Sequence, residues 1–312
     1  MAKVLSLFDG ISCGRVAFER AGITVEEYHA CEIDPYAKKI SAKNYPDIIQ
    51  HGSVTDYHPD RSFDYVIGGS PCQGFSFAGK QLAFDDPRSK LFFEYVRILK
   101  ECKEINPNVK FLLENVNMKK EYLDIISETL GVTPVKINSS LVSAQNRVRW
   151  YWANWNITQP EDKGIILENV IENGVVDREK SYCIDACYHK GGSPEQYFGK
   201  SRRQLVFGAT IVGRKVNPDT GRREDYNHDL MATQRMEIRH DCKIGALTTV
   251  RKDNVITHDR MTYRNLTPIE CERLQTLPDN YTEGVSNTQR YKCLGNGWTV
   301  DVISHILKCS VL

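Results

Sequence analysis

Apolar residues in the first 155 positions fall into short dense runs separated by longer periodic stretches. Lys3 to Phe8 (KVLSLF) is a dense run that stops at Asp9-Gly10. After Gly14 a helical period carries Val16, Phe18 and Ala21 to a closing Gly22. Glu26 to Glu32 (EEYHACE) predicts a second strand ending in an acid, Pro35 to Tyr45 a helix, and His51 to Asp56 a third short strand with its turn. Phe63 to Gly69 (FDYVIGG) is short and carries β-branched Val66 and Ile67, which favours a strand; the glycines and Pro71 end it. Lys90 to Cys102 returns to helical spacing through Leu91, Phe92, Tyr95, Ile98 and Leu99, and core packing accounts for these residues. Lys110 to Leu113 (KFLL) predicts a fifth strand, Leu141 to Trp155 another, and Val300 to Leu307 a helix. Such alternation predicts an α/β fold with a mostly parallel, Rossmann-like sheet.

In sheets of this kind ligands bind outside the carboxyl ends of the strands. The first turn, FDGISCG, places glycines at 10 and 14, where backbone can approach a ligand closely. Glu32, about twenty residues beyond that turn, is placed to hydrogen-bond the hydroxyls of a ribose, with Asp34 as the alternative. Cys72 follows the fourth strand. Free cysteine is usually buried, but Pro71 before it and Gln73-Gly74 after it argue for a rigid, exposed turn. Phe75 to Ser89 has no steady period and reads as a loop over a site. Glu114 ends the fifth strand on the same edge. Gln145, Arg147 and Arg149 alternate, so on a strand all three would face that site, with Val148 and Trp150 packed behind.

Composition narrows the class. With 312 residues, 41% of them hydrophobic, one or two domains are expected. The net charge of +1 means that any nucleic-acid contact must be local. One such segment runs from Lys200 to Arg223, with Lys200, Arg202, Arg203, Arg214, Lys215, Arg222 and Arg223 against Asp219. Ten cysteines lack a disulfide framework, and neither a signal peptide nor a membrane-length apolar run is present, so an intracellular, cytoplasmic protein is expected. Cys183, Cys187 and His189 lack a second close pair to complete a tetrahedral set, so no metal is expected.

PCQ at 71–73, ENV at 114–116 and QNRVR at 145–149 stand in one chain in that order. FDG at 8–10, GFSFAGK at 74–80, RNLTPIECERLQTLPD at 264–279 and LGNGWTV at 294–300 extend the set. Together these blocks resemble the DNA (cytosine-5)-methyltransferase family. FDGISCG and the Trp298 block look more like its de novo, animal-type branch, and Ser53 stands where many members have an aspartate that contacts the adenine amine. The resemblance implies that Cys72 attacks carbon 6 of a flipped cytosine, that Glu114 holds the ring nitrogen and exocyclic amine, and that Arg149 holds the carbonyl oxygen, with Arg147 and Gln145 supporting the loop and the site. It implies S-adenosylmethionine as cofactor, held by Phe8, Asp9, Gly10, Glu32, Ile33, Val54, Pro71, Asn296 and Trp298. Double-stranded DNA is the implied partner, met by Gln73, Ser76, Lys80, Gln145, Arg202, Arg203, Thr248 and Thr249. A cognate restriction endonuclease is the further partner that a prokaryotic or phage modification enzyme would have. The family inserts its target-recognition domain late in the chain, here at 161–262, between a catalytic domain over 1–160, completed by 285–312, and a return segment over 263–284. Two alternatives stay open: an RNA-directed enzyme, and a catalytically silent regulator, although the latter would be expected to lack Cys72 or Glu114.

Overall fold

The computed structural model describes residues 1–71, 90–172, 175–176, 178–190, 206–207, 209–214, 233–237, 254–255 and 263–311. They fall into two compact units: one of Met1–Ile165, Tyr182–Lys190 and Cys271–Leu312, the other of Ile166–Ser181 and Gly191–Glu270. Tyr182–Lys190, counted with the second domain on sequence grounds, thus belongs to the first unit.

The first unit is built on seven strands: β1 (Ala2–Leu7), β2 (Val25–Cys31), β3 (Ile49–Gln50), β4 (Tyr65–Gly68), β5 (Lys110–Val116), β6 (Val135–Asn138) and β7 (Val148–Ala153). Their order is β3-β2-β1-β4-β5-β7-β6, parallel from β3 to β5, with β7 antiparallel to both its neighbours. Val4, Leu5 and Leu7 of β1, Val66 and Ile67 of β4, and Leu112 and Leu113 of β5 are fully buried, which is why these strands read as continuous apolar runs. Helices α1 (Cys13–Ala21), α2 (Pro35–Asn44) and α3 (Lys90–Ile105) follow β1, β2 and β4. Proline opens α2 behind an Asp34 cap, and Gly22 closes α1 in the left-handed conformation. The chain leaves β1 toward β2 on one side and reaches β4 on the other, so the strand order reverses between β1 and β4. Leu7 pairs with Gly68 there, which puts the turn after Leu7 and the loop after Gly68 side by side at the switch point where such sheets bind ligands.

Two stretches differ from the pattern-based expectation. His51 to Asp56 is not a strand: β3 ends at Gln50, and Gly52 turns the chain at φ +82°. Nor is Leu141 to Trp155 one strand. β6 and β7 form a hairpin whose loop, 139–147, is closed by Asn138 Oδ1, which accepts the Arg147 N–H at 3.0 Å and the Ser140 N–H at 3.2 Å. α4 (Lys120–Leu130) follows β5, and the last part of the chain forms α5 (Pro268–Leu274), α6 (Asn287–Asn296) and α7 (Val300–Cys309). α7 packs on α1, where Arg20 pairs with Asp301 at 2.6 Å.

The described part of the second unit holds two small antiparallel sheets, from strands β8 (Val175–Val176), β9 (Val206–Phe207), β10 (Ala209–Arg214), β11 (Thr233–Glu237), β12 (Asn254–Val255) and β13 (Tyr263–Arg264), in the orders β11-β10-β12 and β13-β9-β8. α5 begins with a capping box: the Thr267 hydroxyl accepts the Glu270 N–H, and Glu270 accepts the Thr267 N–H at 2.7 Å.

Candidate active site

The turn after β1 is tightly wound. Phe8, Gly10 and Ser12 all have φ near +60°, a region costly for the two residues that bear a Cβ. Its hydrogen bonds hold it there. Asp9 turns inward and accepts from Ser12 Oγ at 2.5 Å and Tyr28 Oη at 2.8 Å. Burial pushes the Asp9 carboxyl up to about 6 in spite of these donors. The two glycines of the turn have different reasons. A Cβ on Gly10 would meet no atom within 4 Å, so its backbone borders open space, whereas on Gly14 it would lie 2.6 Å from Ile67 and 2.7 Å from Tyr28 Oη. Gly14 answers to packing, not to ligand approach as its place in the turn suggested.

Glu32 lies across this turn. Its Oε2 accepts the Gly10 N–H at 2.8 Å, and its Oε1 accepts those of Ile33 at 2.8 Å and Asp34 at 2.7 Å. Asp34, the alternative to it, is committed elsewhere: Oδ1 caps α2 and Oδ2 pairs with Lys292 at 2.7 Å. Beside Glu32 the Ile33 side chain is 74% exposed, an apolar face next to a fixed acid. Val54 is buried, Pro71 and Trp298 are half-buried, and Asn296 is exposed.

A second cluster forms at the ends of β4, β5 and β7. The register that pairs Gly68 with Leu113 brings Gly69 alongside Glu114. Glu114 pairs across the antiparallel ladder with Tyr151, so Arg149, two residues from Tyr151, emerges on the same face. Arg149 Nε meets Glu114 Oε1 at 2.9 Å, while the other carboxylate oxygen accepts from Trp298 Nε1 at 3.0 Å. The Arg149 guanidinium also donates to the Val148 carbonyl at 2.9 Å and lies 3.8 Å from Cys183 Sγ.

Gln145 and Arg147 do not share this face, contrary to the strand expectation, because they lie in the hairpin loop. Gln145 is wholly buried; its amide donates to the Leu274 carbonyl at 3.2 Å, and its oxygen accepts the Ile184 N–H at 2.9 Å. It offers no surface to DNA in this structure. Arg147, 4% exposed, donates to the carbonyls of Ile184, Gly295 and Gly297 at 3.0, 3.2 and 2.9 Å and to Cys183 Sγ at 3.2 Å. It touches neither Glu114 nor open space; it braces the segment that carries Trp298. Sequence offers Cys183 only as a candidate metal ligand, yet its sulfur lies between two guanidiniums. Burial opposes ionisation of this thiol, but Arg147 and Arg149 outweigh it and hold its pKa below the ordinary cysteine value. Nothing in the local sequence signals that contact, since it joins residues 34 and 36 positions apart. Among the described residues no group of three or more side chains could hold a metal ion. Cys72, Gln73, Ser76, Lys80, Arg202, Arg203, Thr248 and Thr249 lie outside the described residues.

Residues 2–152 and 154–310 match the family described as C-5 cytosine-specific DNA methylase. The chain is 31% identical, over 97% of its length and 76% of the relative's, to the Type II methyltransferase M1.ScrFI of Lactococcus lactis subsp. cremoris. To the Type II methyltransferase M.BanI of Aneurinibacillus aneurinilyticus it is 38% identical, over 98% of its own length and 95% of that protein's. In three dimensions it matches the whole of Spodoptera frugiperda DNMT2 over its own whole length, with a TM-score of 0.64 at 20% identity, a likeness of fold. The chain belongs to the C-5 cytosine-specific DNA methylase family, and it is a DNA (cytosine-5)-methyltransferase.

Proposed function

We propose that the chain methylates carbon 5 of a cytosine flipped out of a specific duplex site, as a modification enzyme, with Cys72 as nucleophile, Glu114 at the ring nitrogen and exocyclic amine, and Arg149 at the carbonyl oxygen. The observation that carries this assignment is Glu114, held from both sides by Arg149 and Trp298 beside Gly69, three residues before Cys72. Carbon 5 of cytosine is a poor nucleophile. Addition of the Cys72 thiolate to carbon 6 moves an electron pair onto the ring and makes carbon 5 enamine-like. Charge then develops at the ring nitrogen, where a proton delivered by the Glu114 carboxyl neutralises it, and at the carbonyl oxygen, where Arg149 is the donor that stabilises it. Three of the five guanidinium N–H donors of Arg149 are directed at Glu114, Val148 and Cys183, which leaves two for the base. A base stacked in a duplex cannot reach such a cluster, hence the flip.

The turn after β1 suits S-adenosylmethionine: open space at the Gly10 backbone, the Glu32 carboxylate for ribose hydroxyls and the exposed Ile33 face for the adenine ring. When bound, that cofactor supplies the methyl group. Phe8, Asp9, Val54, Pro71, Asn296 and Trp298 are proposed to complete its site. Gln73, Ser76, Lys80, Arg202, Arg203, Thr248 and Thr249 are proposed DNA contacts, with a cognate endonuclease as a partner of the same system. Bisulfite sequencing of DNA from cells that express the chain reads activity and target together. Methylated cytosines at one short motif are expected, and none with Cys72→Ala. Persistence of the marks in that variant, or label transfer to RNA cytosine and not to duplex DNA, would overturn the reading.

A further inference from the structure

A carboxylate held through one oxygen is free to turn about its last torsion, which is broad and has no sharp minimum. Glu114 is held through both. Arg149 fixes Oε1 from β7, within the same sheet, and Trp298 fixes Oε2 from the far end of the chain, 184 residues away. The indole N–H is a donor only and carries no charge, so it can do one thing here: keep a lone pair of Oε2 pointed at itself and thereby set the plane of the carboxylate.

The surroundings are shaped to this contact. A Cβ on Gly69 would lie 2.9 Å from both Glu114 Oε2 and Trp298 Nε1, so only glycine leaves the space between β4 and the acid clear. The ring is also fixed from behind. The Gly297 carbonyl just before it is held by Arg147 at 2.9 Å and by Gln275 at 3.2 Å, and the Thr299 hydroxyl just after it donates to Gln275 Oε1 at 2.9 Å. Arg147 and Arg149 therefore act on one carboxylate by two routes, one directly and one through the segment that presents the indole.

We infer that Trp298 is a positioning residue of the acid, orienting Glu114 for the flipped cytosine, and not only a wall of the cofactor site. The inference rests on the methyl-transfer reading above. It is separated from a cofactor role by the half-reaction that needs no methyl donor. Cys72 adds to carbon 6, a solvent proton is taken up at carbon 5, the original hydrogen is lost to solvent, and the thiolate leaves. The net change is exchange at carbon 5.

The experiment uses the full chain and a long duplex made by polymerase with tritium on cytosine carbon 5. Release of tritium to water without cofactor, methyl transfer at saturating S-adenosylmethionine, and cofactor affinity by equilibrium dialysis are each measured for wild type, Trp298→Phe and Gly69→Ala. Phenylalanine keeps the apolar ring and removes the N–H; alanine intrudes on the contact from the opposite side and leaves Trp298 in place. Both variants are expected to lose tritium release and saturated turnover together, roughly ten- to a hundredfold, the range of a lost hydrogen bond to a charged group, with cofactor affinity changed less than about threefold. Trp298→Phe with wild-type tritium release and weakened cofactor binding would overturn the inference, as would Gly69→Ala with undiminished turnover. A wild-type chain that neither releases tritium nor methylates the duplex would instead sink the functional reading itself.

Discussion

Two carboxylates end buried strands on the same edge of the sheet, and they are held in opposite ways. Glu32 accepts three main-chain N–H groups, from Gly10, Ile33 and Asp34. Glu114 accepts from two side chains, Arg149 and Trp298, drawn from β7 and from the segment after α6. Main-chain donors are supplied by the winding of the chain itself, so Glu32 is set once the turn after β1 and the start of α2 have formed. Side-chain donors are set by packing elsewhere and can be removed one at a time. The contrast fits the work proposed for each: a grip on a cofactor that the turn supplies as it folds, and a grip on a base whose plane is set by groups brought from β7 and from the segment after α6.

The largest expected effect tests that division directly. Glu114→Gln should lower saturated methyl transfer roughly 10²- to 10⁴-fold, the range of a lost general acid–base group, with cofactor affinity unchanged. Glu32→Gln should do the reverse, weakening cofactor binding about tenfold or more while turnover at saturation stays near wild type. Filter-binding assays of methyl incorporation and equilibrium dialysis read the two effects separately. Equal losses of saturated turnover in both variants would break the comparison.

The two arginines sharpen it. Arg147 is buried on the carbonyls of Ile184, Gly295 and Gly297, so Arg147→Ala leaves these acceptors stranded and, at about 1–3 kcal/mol for each buried unsatisfied group, should cost several kcal/mol of stability in urea unfolding. Arg149→Ala leaves the buried Glu114 carboxylate without its charged partner, so it should lose turnover and stability together. A small stability loss in Arg147→Ala would mean that the brace behind Trp298 is dispensable.

Much of this was legible without coordinates because parallel strands buried on both faces write themselves as apolar runs. β1, β4 and β5, the turn after Leu7, and Glu32 and Glu114 after their apolar runs follow from run length and what ends it, although β5 itself runs on past Glu114 to Val116, and Arg149 follows from alternation. The hairpin loop was not legible. Gln145, Arg147 and Arg149 alternate as a strand would, and only the closing bonds of Asn138 show that the first two belong to a loop and turn inward. The two residues of β3, Ile49 and Gln50, are too few to make a run, so the sequence pattern puts the third strand late, at His51. The contacts of Cys183 with both arginines and of Trp298 with Glu114 were out of reach for another reason: they are long-range, and no local period encodes them. Gly69 carried a trace of the second contact, since a second glycine after Gly68 is more than the end of a strand requires.

The smallest effect concerns the acid beneath the turn. Burial raises Asp9 from 3.8 to about 6, and Glu32 across the turn pushes in the same direction. An acid whose folded pKa lies above its unfolded value favours the folded state below the unfolded value, and that contribution is lost as pH rises through the folded one. Between about pH 4 and pH 6 the chain should therefore lose about 3 kcal/mol through Asp9, a loss that Asp9→Asn, unable to ionise, does not suffer. The difference in unfolding free energy between wild type and Asp9→Asn, followed across that window, isolates this group from the other carboxylates. Glu32→Gln supplies the link to the comparison: with its charge gone, the Asp9 transition should move to lower pH, whereas Glu114→Gln should leave it in place. A transition unmoved by Glu32→Gln would show that the Glu32 charge is spent on its three main-chain donors and is not felt across the turn.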